Sequence, residues 1–293
     1  MSATRRPPWP GLAFVLLLAL GAAFREPSPA AAQSVSSDAA AMREIAYGPD
    51  PAQRFDVYLP AQSKGAQTIF YVHGGGWRRG DKAMRGLIEA KQKRWTAAGA
   101  IVISTNYRML PDADPLEQAR DLARAVAKAQ ETVASLGGDP NGFVLMGHSA
   151  GAHLVGLLAA SPAMVRQFRV KPWRASVLLD GGAIDTEATM QGRNLPLFDN
   201  AFGKDPAYWR AASPLAQLNA KTAPVLAVCA SGRRDSCPAN RLFLDKAARF
   251  GTRTQLLEKP LSHMEINRDL GEDNDYTREV EAFMRSVGMP LRG

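Results

Sequence analysis

A pentapeptide in the middle of the chain has the residue types of a turn that presents a nucleophilic serine. Residues 147–151 read GHSAG and match the pattern G-x-S-x-G. They follow the short apolar run 143–146 and lead into the apolar run 150–160, so a strand, a sharp turn and a helix are expected. This turn needs small neighbours and places Ser149 at a helix N-terminus, where the dipole favours developing negative charge. Ser149 is therefore the candidate nucleophile, and an ordinary glycine-rich turn is the alternative.

A serine hydroxyl is a weak nucleophile and needs a general base, for which the chain offers four histidines. His148 lies inside the turn and should point away from Ser149, while His153 lies on the following helix. His73 begins a glycine-rich segment. His263 lies late in the chain, as the order nucleophile, acid, base requires. His263 is the predicted base, and a histidine in a surface loop is the alternative.

The base needs a carboxylate that holds its tautomer and stabilises its charge. This acid should lie between the serine and the base, in a loop after a strand. Asp235 fits because it ends the loop SGRRD, which follows an apolar strand-like run. Asp180 follows an earlier run and is the main rival, while Asp199 and Asp205 are weaker alternatives. The sequence therefore favours Asp235.

The segment HGGGW at residues 73–77 follows another strand-like run. Attack on a carbonyl creates an oxyanion, which backbone N–H groups can stabilise where glycines let the chain approach closely. Gly75, Gly76 and Ala150 are the predicted donors, with a plain glycine turn as the alternative.

Aromatic side chains lie near these motifs. Trp77 is the predicted substrate contact, and Tyr208 and Trp209 could also line an acyl or aromatic pocket, with core packing as the alternative for all three. Tyr208 and Trp209 belong to residues 181–222, which break the regular pattern and are the candidate cap or lid.

The elements that must position these residues alternate between strands and helices. This alternation predicts a mostly parallel sheet covered on both faces, with an early hairpin that makes the sheet mixed at one edge. The predicted strands are 43–47, 54–59, 68–72, 100–104, 143–146, 176–179, 225–229 and 254–258, and the predicted helices are 81–98, 115–135, 150–160, 239–250 and 275–287.

The N-terminus has the pattern of an export signal. Arg5 and Arg6 precede an apolar run over 11–24, and three alanines at 30–32 suit cleavage after Ala32. We therefore expect a signal peptide over 1–32, a linker over 33–42 and a catalytic domain over 43–290, in a secreted or periplasmic protein. An uncleaved N-terminal anchor is the alternative.

The chain has two cysteines, Cys229 and Cys237. In an oxidising compartment such a pair often forms a disulfide, and two buried thiols that never meet are the alternative.

Charge and composition limit the partners. The formal net charge of +8 comes without a Lys/Arg block that would favour nucleic acid, so a solvated basic surface is expected. Neither a metal nor an organic cofactor is implied, and stable membrane insertion after signal cleavage is not expected. The oligomeric state is left open.

Taken together, HGGGW, NYR at 106–108, GGDP at 137–140 and GHSAGAHL at 147–154 resemble the esterase/lipase branch of the α/β-hydrolases. The resemblance is greatest to carboxylesterases and kynurenine formamidase-like enzymes, and it covers about residues 43–288. It implies hydrolysis of small-molecule carboxylic esters through an acyl-enzyme. Arylformamidase-type amide hydrolysis and an inactive binding protein on the same scaffold are the alternatives. The loop SGRRDSCP departs from the family pattern because it carries a cysteine and lacks the usual apolar residues after the aspartate.

Overall fold

A computed structural model describes residues 41–292 of the chain. The predicted signal peptide over 1–32 lies outside the described residues, as does most of the predicted linker over 33–42. The first strand begins at Ala41, so the last two positions of that linker belong to the sheet instead.

The described residues form one eight-stranded sheet in the order β1-β2-β4-β3-β5-β6-β7-β8. Strands β1 and β2 pair antiparallel, as do β2 and β4, and every later neighbour is parallel. The predicted mixed sheet with a hairpin at one edge is therefore confirmed. The strands are β1 Ala41–Ala46, β2 Arg54–Tyr58, β3 Thr68–Val72, β4 Ile101–Thr105, β5 Phe143–His148, β6 Ala175–Leu179, β7 Val225–Ala230 and β8 Thr254–Lys259.

The central strands are buried along their whole length because helices cover both faces of the sheet. The helices are α1 Arg85–Ala97, α2 Pro115–Ser135, α3 Ala150–Ala160, α4 Pro162–Gln167, α5 Thr186–Gln191, α6 Pro196–Phe202, α7 Pro206–Ala211, α8 Pro214–Gln217, α9 Ser236–Arg249, α10 His263–Arg268 and α11 Asp275–Ser286. Within residues 41–292, no helix combines the length and the apolar character needed to cross a membrane.

Two helical boundaries differ from expectation for local reasons. The helix for which Asp81 is the expected cap begins only at Arg85, and the Asp81 carboxylate accepts the N–H of Ala83 in a preceding turn instead. The irregular residues 181–222 contain four short helices, three of which begin at a proline, where a missing N–H costs nothing. Their shortness explains why no helical period is visible in the sequence.

Candidate active site

Ser149 occupies the sharp turn between β5 and α3. Its φ of 55° and ψ of −118° are a strained conformation for a residue with a side chain. Its N–H donates to the carbonyl of Leu179 at 2.9 Å, which ties the turn to β6. A Cβ on Gly147 would lie 2.3 Å from the carbonyl oxygen of Gly151, so the turn excludes larger residues there. The strand–turn–helix expected around Ser149 is therefore present.

His263 is the first residue of α10, not a loop residue. Ser262 caps the helix by accepting the N–H of Glu265, whose carboxylate in turn accepts the N–H of Ser262. This capping box fixes the start of the helix and therefore the backbone of His263. His263 lines the same cavity as Ser149.

The carboxylate beside His263 differs from the expected one. Asp180, directly after β6, lies with Oδ2 at 2.5 Å from Nδ1 of His263. Asp235 is 61% exposed and forms a bidentate ion pair with Arg233, and no hydrogen bond joins its carboxylate to His263 within residues 41–292. The expectation that Asp235 would contact His263 is thus wrong in this structure, and the rival Asp180 holds that position.

Asp180 is fully buried and accepts four hydrogen bonds. Besides His263, its donors are the N–H of Ala230 at 2.9 Å, the hydroxyl of Ser236 at 2.5 Å and the guanidinium of Arg233 at 2.6 Å. Burial by itself raises the pKa of the Asp180 carboxyl. These donors, with His263 first among them, outweigh burial and hold the pKa well below its usual range. Asp180 is therefore an ionised hydrogen-bond acceptor at neutral pH.

Arg233 lies beside both His263 and Asp180, although no sequence pattern predicts a role for it. Its Nη1 lies 2.9 Å from Nδ1 of His263 as well as against Asp180. Since the carboxylate can only accept, Nδ1 of His263 carries the proton between them, and Arg233 donates to Asp180 rather than to the ring. This tautomer leaves Nε2 of His263 free to accept a proton.

The segment HGGGW forms a tight loop after β3. Gly75 adopts a φ of 125°, and a Cβ there would lie 1.8 Å from the carbonyl oxygen of Arg79. A Cβ on Gly74 would lie 2.9 Å from Cβ of Ser149, so the loop directly adjoins the nucleophile turn. The N–H groups of Gly75 and Gly76 have no acceptor within residues 41–292. The N–H of Ala150 is at the first position of α3, where the helix itself supplies no acceptor.

Trp77 lies on the cavity wall but is 1% exposed. Its indole Nε1 donates to Nδ1 of His153 at 3.3 Å, and its ring packs on Phe198 and Phe202. The prediction that Trp77 contacts substrate stays a prediction. Tyr208 and Trp209 pack against the core and are not among the residues lining the cavity.

The three other histidines are buried and support the site. His148 donates from Nε2 to the carbonyl of His263 at 2.9 Å, which braces α10. Burial, followed by repulsion from His263, lowers the pKa of His148 to about 3. His153 donates to the carbonyl of Ala212, and burial lowers its pKa to about 4. His73 stacks on Tyr107, and burial lowers its pKa as well.

A cavity of about 900 Å³ opens above Ser149. One wall is the loop at 73–81, and the opposite wall comes from the irregular segment 181–222 through Gly182, Leu195, Leu197, Phe198 and Asn200. Its volume suits a small organic molecule. The segment proposed as a cap therefore contributes to the cavity.

The two cysteines lie beside the carboxylate site. The Cα atoms of Cys229 and Cys237 are 5.2 Å apart, a separation that permits a disulfide. Between the two cysteines in the chain lie Arg233, in the loop after β7, and Ser236, the first residue of α9, which are two of the donors to Asp180.

Comparison with known proteins gives one family match and several partial relatives. The BD-FAE family model matches residues 55–237. A probable isoprenylcysteine alpha-carbonyl methylesterase of Oryza sativa subsp. japonica is 32% identical over 160 residues, 49% of this chain and 38% of the relative. Esterase LipC of Mycobacterium tuberculosis is 36% identical over 125 residues, 41% of this chain and 30% of LipC. A kynurenine formamidase of Danio rerio is 26% identical over 147 residues, 50% of this chain and 47% of the relative. The chain thus matches less than half the length of each of these three relatives.

Solved structures share the fold at low sequence identity. A truncated carbohydrate esterase from gut microbiota superposes with a TM-score of 0.71 at 18% identity, over 85% of this chain and 96% of that one. Thermogutta terrifontis esterase 2 phosphonylated by sarin gives a TM-score of 0.71 at 18% identity, over 87% of this chain and 97% of that one. The chain therefore has the α/β-hydrolase fold.

Proposed function

Because the chain belongs to the BD-FAE family, we propose that it is a carboxylic ester hydrolase with Ser149, His263 and Asp180 as its catalytic residues. The observation that carries the proposal is the contact between His263 and the buried Asp180 in the cavity that Ser149 also lines. The curated relatives support the reaction class, since two of those named above are called esterases.

In the first half of the reaction, the Ser149 hydroxyl attacks the ester carbonyl and Nε2 of His263 takes its proton. Asp180 stabilises the imidazolium that forms, because its carboxylate is already ionised and bonded to Nδ1. His263 then returns the proton to the leaving alcohol. The acyl group stays on Ser149 as an ester.

Water completes the reaction in the second half. His263 accepts a proton from the water, whose oxygen attacks the acyl carbonyl, and then gives that proton back to Ser149. In both halves the carbonyl oxygen becomes an oxyanion. We assign its stabilisation to the N–H groups of Gly75, Gly76 and Ala150, of which each is worth about 3–4 kcal/mol in a preorganised site.

The test begins with labelling of the purified protein by a fluorophosphonate probe. We expect an adduct on Ser149 in the wild type and none in Ser149→Ala. The wild type should then hydrolyse a panel of p-nitrophenyl esters. His263→Ala should lower kcat by several orders of magnitude, and its unfolding temperature should equal that of the wild type. Absence of the adduct and of ester hydrolysis would leave the binding-protein alternative standing.

Amide hydrolysis of the arylformamidase type is a second candidate because of the partial match to a kynurenine formamidase. The same nucleophile and base would serve it. Assay of N-formylkynurenine beside the ester panel separates the two, and we expect esters to have the higher kcat/KM.

We also propose export and a disulfide between Cys229 and Cys237. The signal-like residues 1–32 support the first, and the Cα separation of 5.2 Å supports the second. Expression in a bacterial host with an intact leader, followed by mass spectrometry, tests both. We expect a mature chain beginning at Gln33 and a mass that increases by about two hydrogen atoms on reduction. Retention of the full leader or free thiols would contradict the respective proposal.

A further inference from the structure

Two arginines on the cavity wall have charges that the protein does not neutralise. Arg78 and Arg79 are exposed, line the cavity above Ser149, and have no ion-pair or hydrogen-bond partner for their guanidinium groups within residues 41–292. Arg233, which lines the same cavity, is neutralised by Asp180 and Asp235. Arg78 and Arg79 are therefore the unpaired arginines among the described residues that line the cavity.

Among the described residues that line the cavity there is one carboxylate, Asp81, and it offsets at most one of these two positive charges. Asp81 accepts hydrogen bonds from the N–H of Ala83 and from the side chain of Asn106, and it forms no ion pair with either arginine. Its pKa is lowered: burial opposes the shift, and the hydrogen bond from Asn106 is the main cause in its favour. The cavity wall thus keeps a net positive charge.

The backbone of the two arginines is held within the loop that adjoins the turn of Ser149. The backbone N–H groups of Arg78 and Arg79 both donate to the carbonyl of Gly75, at 3.3 and 3.2 Å. Gly75 also lies close to the carbonyl of Arg79, so this segment is a tight turn, and its residue Gly74 adjoins Ser149. A group bound by the guanidinium pair would therefore lie in the cavity that Ser149 also lines.

The cavity lining also contains exposed apolar side chains. Four large hydrophobic side chains on it are exposed by 38% to 60%. A ligand that covers these side chains would be stabilised by burial of apolar surface. They are Met84, Leu195, Leu197 and Met264.

We propose that the cavity selects esters with an apolar body and a carboxylate, which Arg78 and Arg79 bind. This specificity rests on the proposed ester hydrolysis at Ser149. Guanidinium groups bind carboxylates through paired, charge-assisted hydrogen bonds, while the exposed hydrophobic side chains contact the apolar body. A neutral ester of the same shape would satisfy only the second set of contacts.

The test uses two pairs of substrates matched in shape. In the first, 4-acetoxybenzoate and 4-acetoxybenzamide place the charge difference on the alcohol side. In the second, monomethyl terephthalate and methyl 4-carbamoylbenzoate place it on the acyl side. The readout is the ratio of kcat/KM for the anionic substrate to that for the neutral one. We expect a wild-type ratio of about ten in low salt for at least one pair, and a lower ratio in high salt because the site is partly exposed.

The variants are Arg78→Gln, Arg79→Gln and the double substitution, since glutamine keeps the first two side-chain carbons. The matched control is Arg85→Gln with Lys93→Gln, which removes two exposed positive charges outside the cavity lining. We expect the double variant to bring the ratio close to one, mainly through KM for the anionic ester. The control should keep the wild-type ratio.

Three outcomes would overturn the inference. They are a wild-type enzyme without preference in either pair, an unchanged ratio in the double variant, and an equal fall in the control, which would reflect overall charge. Failure of the proposed function is distinguishable, because it would abolish fluorophosphonate labelling of Ser149 and hydrolysis of neutral esters as well.

Discussion

Oδ2 of Asp180 lies 2.5 Å from Nδ1 of His263, although 83 positions separate the two residues in the chain. The contact joins the end of β6 to the start of α10. In the proposed mechanism Asp180 therefore has the orienting role for which the sequence favoured Asp235.

We expect Asp180→Asn to lower kcat by about 10³-fold or more, because an amide cannot hold the base in the productive tautomer or stabilise its charge. Asp235→Asn removes an exposed partner of Arg233 and should change kcat by less than about threefold. Steady-state kinetics on a p-nitrophenyl ester, with circular dichroism to verify folding, makes the comparison. A large loss in the Asp235 variant and a small one in the Asp180 variant would reverse the assignment.

Gly75→Ala should lower kcat/KM by about 100-fold or more, because the added Cβ must displace the Arg79 carbonyl and with it a proposed oxyanion donor. Gly86 is the matched control: it lies in α1 with no atom within 4 Å of an added Cβ. Gly86→Ala should stabilise the protein by about 0.5–1 kcal/mol and leave the rate unchanged. The measurements are ester kinetics and thermal unfolding, and wild-type activity in Gly75→Ala would contradict the role of this loop.

Removal of both cysteines, as Cys229→Ala with Cys237→Ala, should lower the free energy of unfolding by about 2–3 kcal/mol. Activity should fall too, because Arg233 and Ser236, two donors to Asp180, lie between the two cysteines in the chain. Denaturant unfolding and ester kinetics are measured with and without a reductant. The reductant should bring the wild type to the level of the variant and leave the variant unaffected. An effect of equal size on both proteins would point to a cause other than this pair.

Stability should fall as the pH drops from about 6.5 toward 4.5. Burial lowers the pKa values of His148 and His153 to about 3 and 4 in the folded protein, against 6.5 for a histidine in water. The unfolded state therefore binds protons first as the pH falls. Each histidine then lowers the free energy of unfolding by about 1.4 kcal/mol per pH unit in that window. Asp180 does not change the free energy of unfolding in this pH range. Its lowered pKa stabilises the folded state, and this stabilisation is lost only below about pH 4.

Denaturant unfolding at pH 7 and pH 5 measures this loss. In His153→Gln, which can keep one donor and one acceptor for Ala212 and Trp77, the drop between the two pH values should be smaller by about 2 kcal/mol. An identical drop in wild type and variant would show that His153 does not titrate on unfolding.

Local chemistry made the serine turn and the sheet predictable, whereas the choice of carboxylate depends on contacts between distant segments. Asp180 and Asp235 both follow parallel strands, so both approach the same sheet edge. What separates them is orientation. Asp180 adopts a φ of 47° directly at the strand end and is buried, while Asp235 pairs with Arg233 on the exposed loop. No spacing in the sequence encodes that difference.

The short helix that begins at His263 is not among the helices expected from the sequence, although the sequence contains a signal for it. Ser262 and Glu265 have the spacing of a capping box, and the structure uses both of its hydrogen bonds. The supporting roles of Arg233 and Ser236 had no comparable signal, because each depends on the position of Asp180 in the folded chain.

The candidate active site has two parts that the fold holds with unequal rigidity. The hydrogen bond from the Ser149 N–H to Leu179 ties the first part to the sheet. Ser149 and Asp180 are both anchored in the sheet ladder, the latter through its own N–H to Val228. His263 is carried by a helix of six residues. Moderate heating should therefore displace the imidazole while the serine and the carboxylate keep their places, so thermal inactivation would precede melting of the sheet and would reverse on cooling.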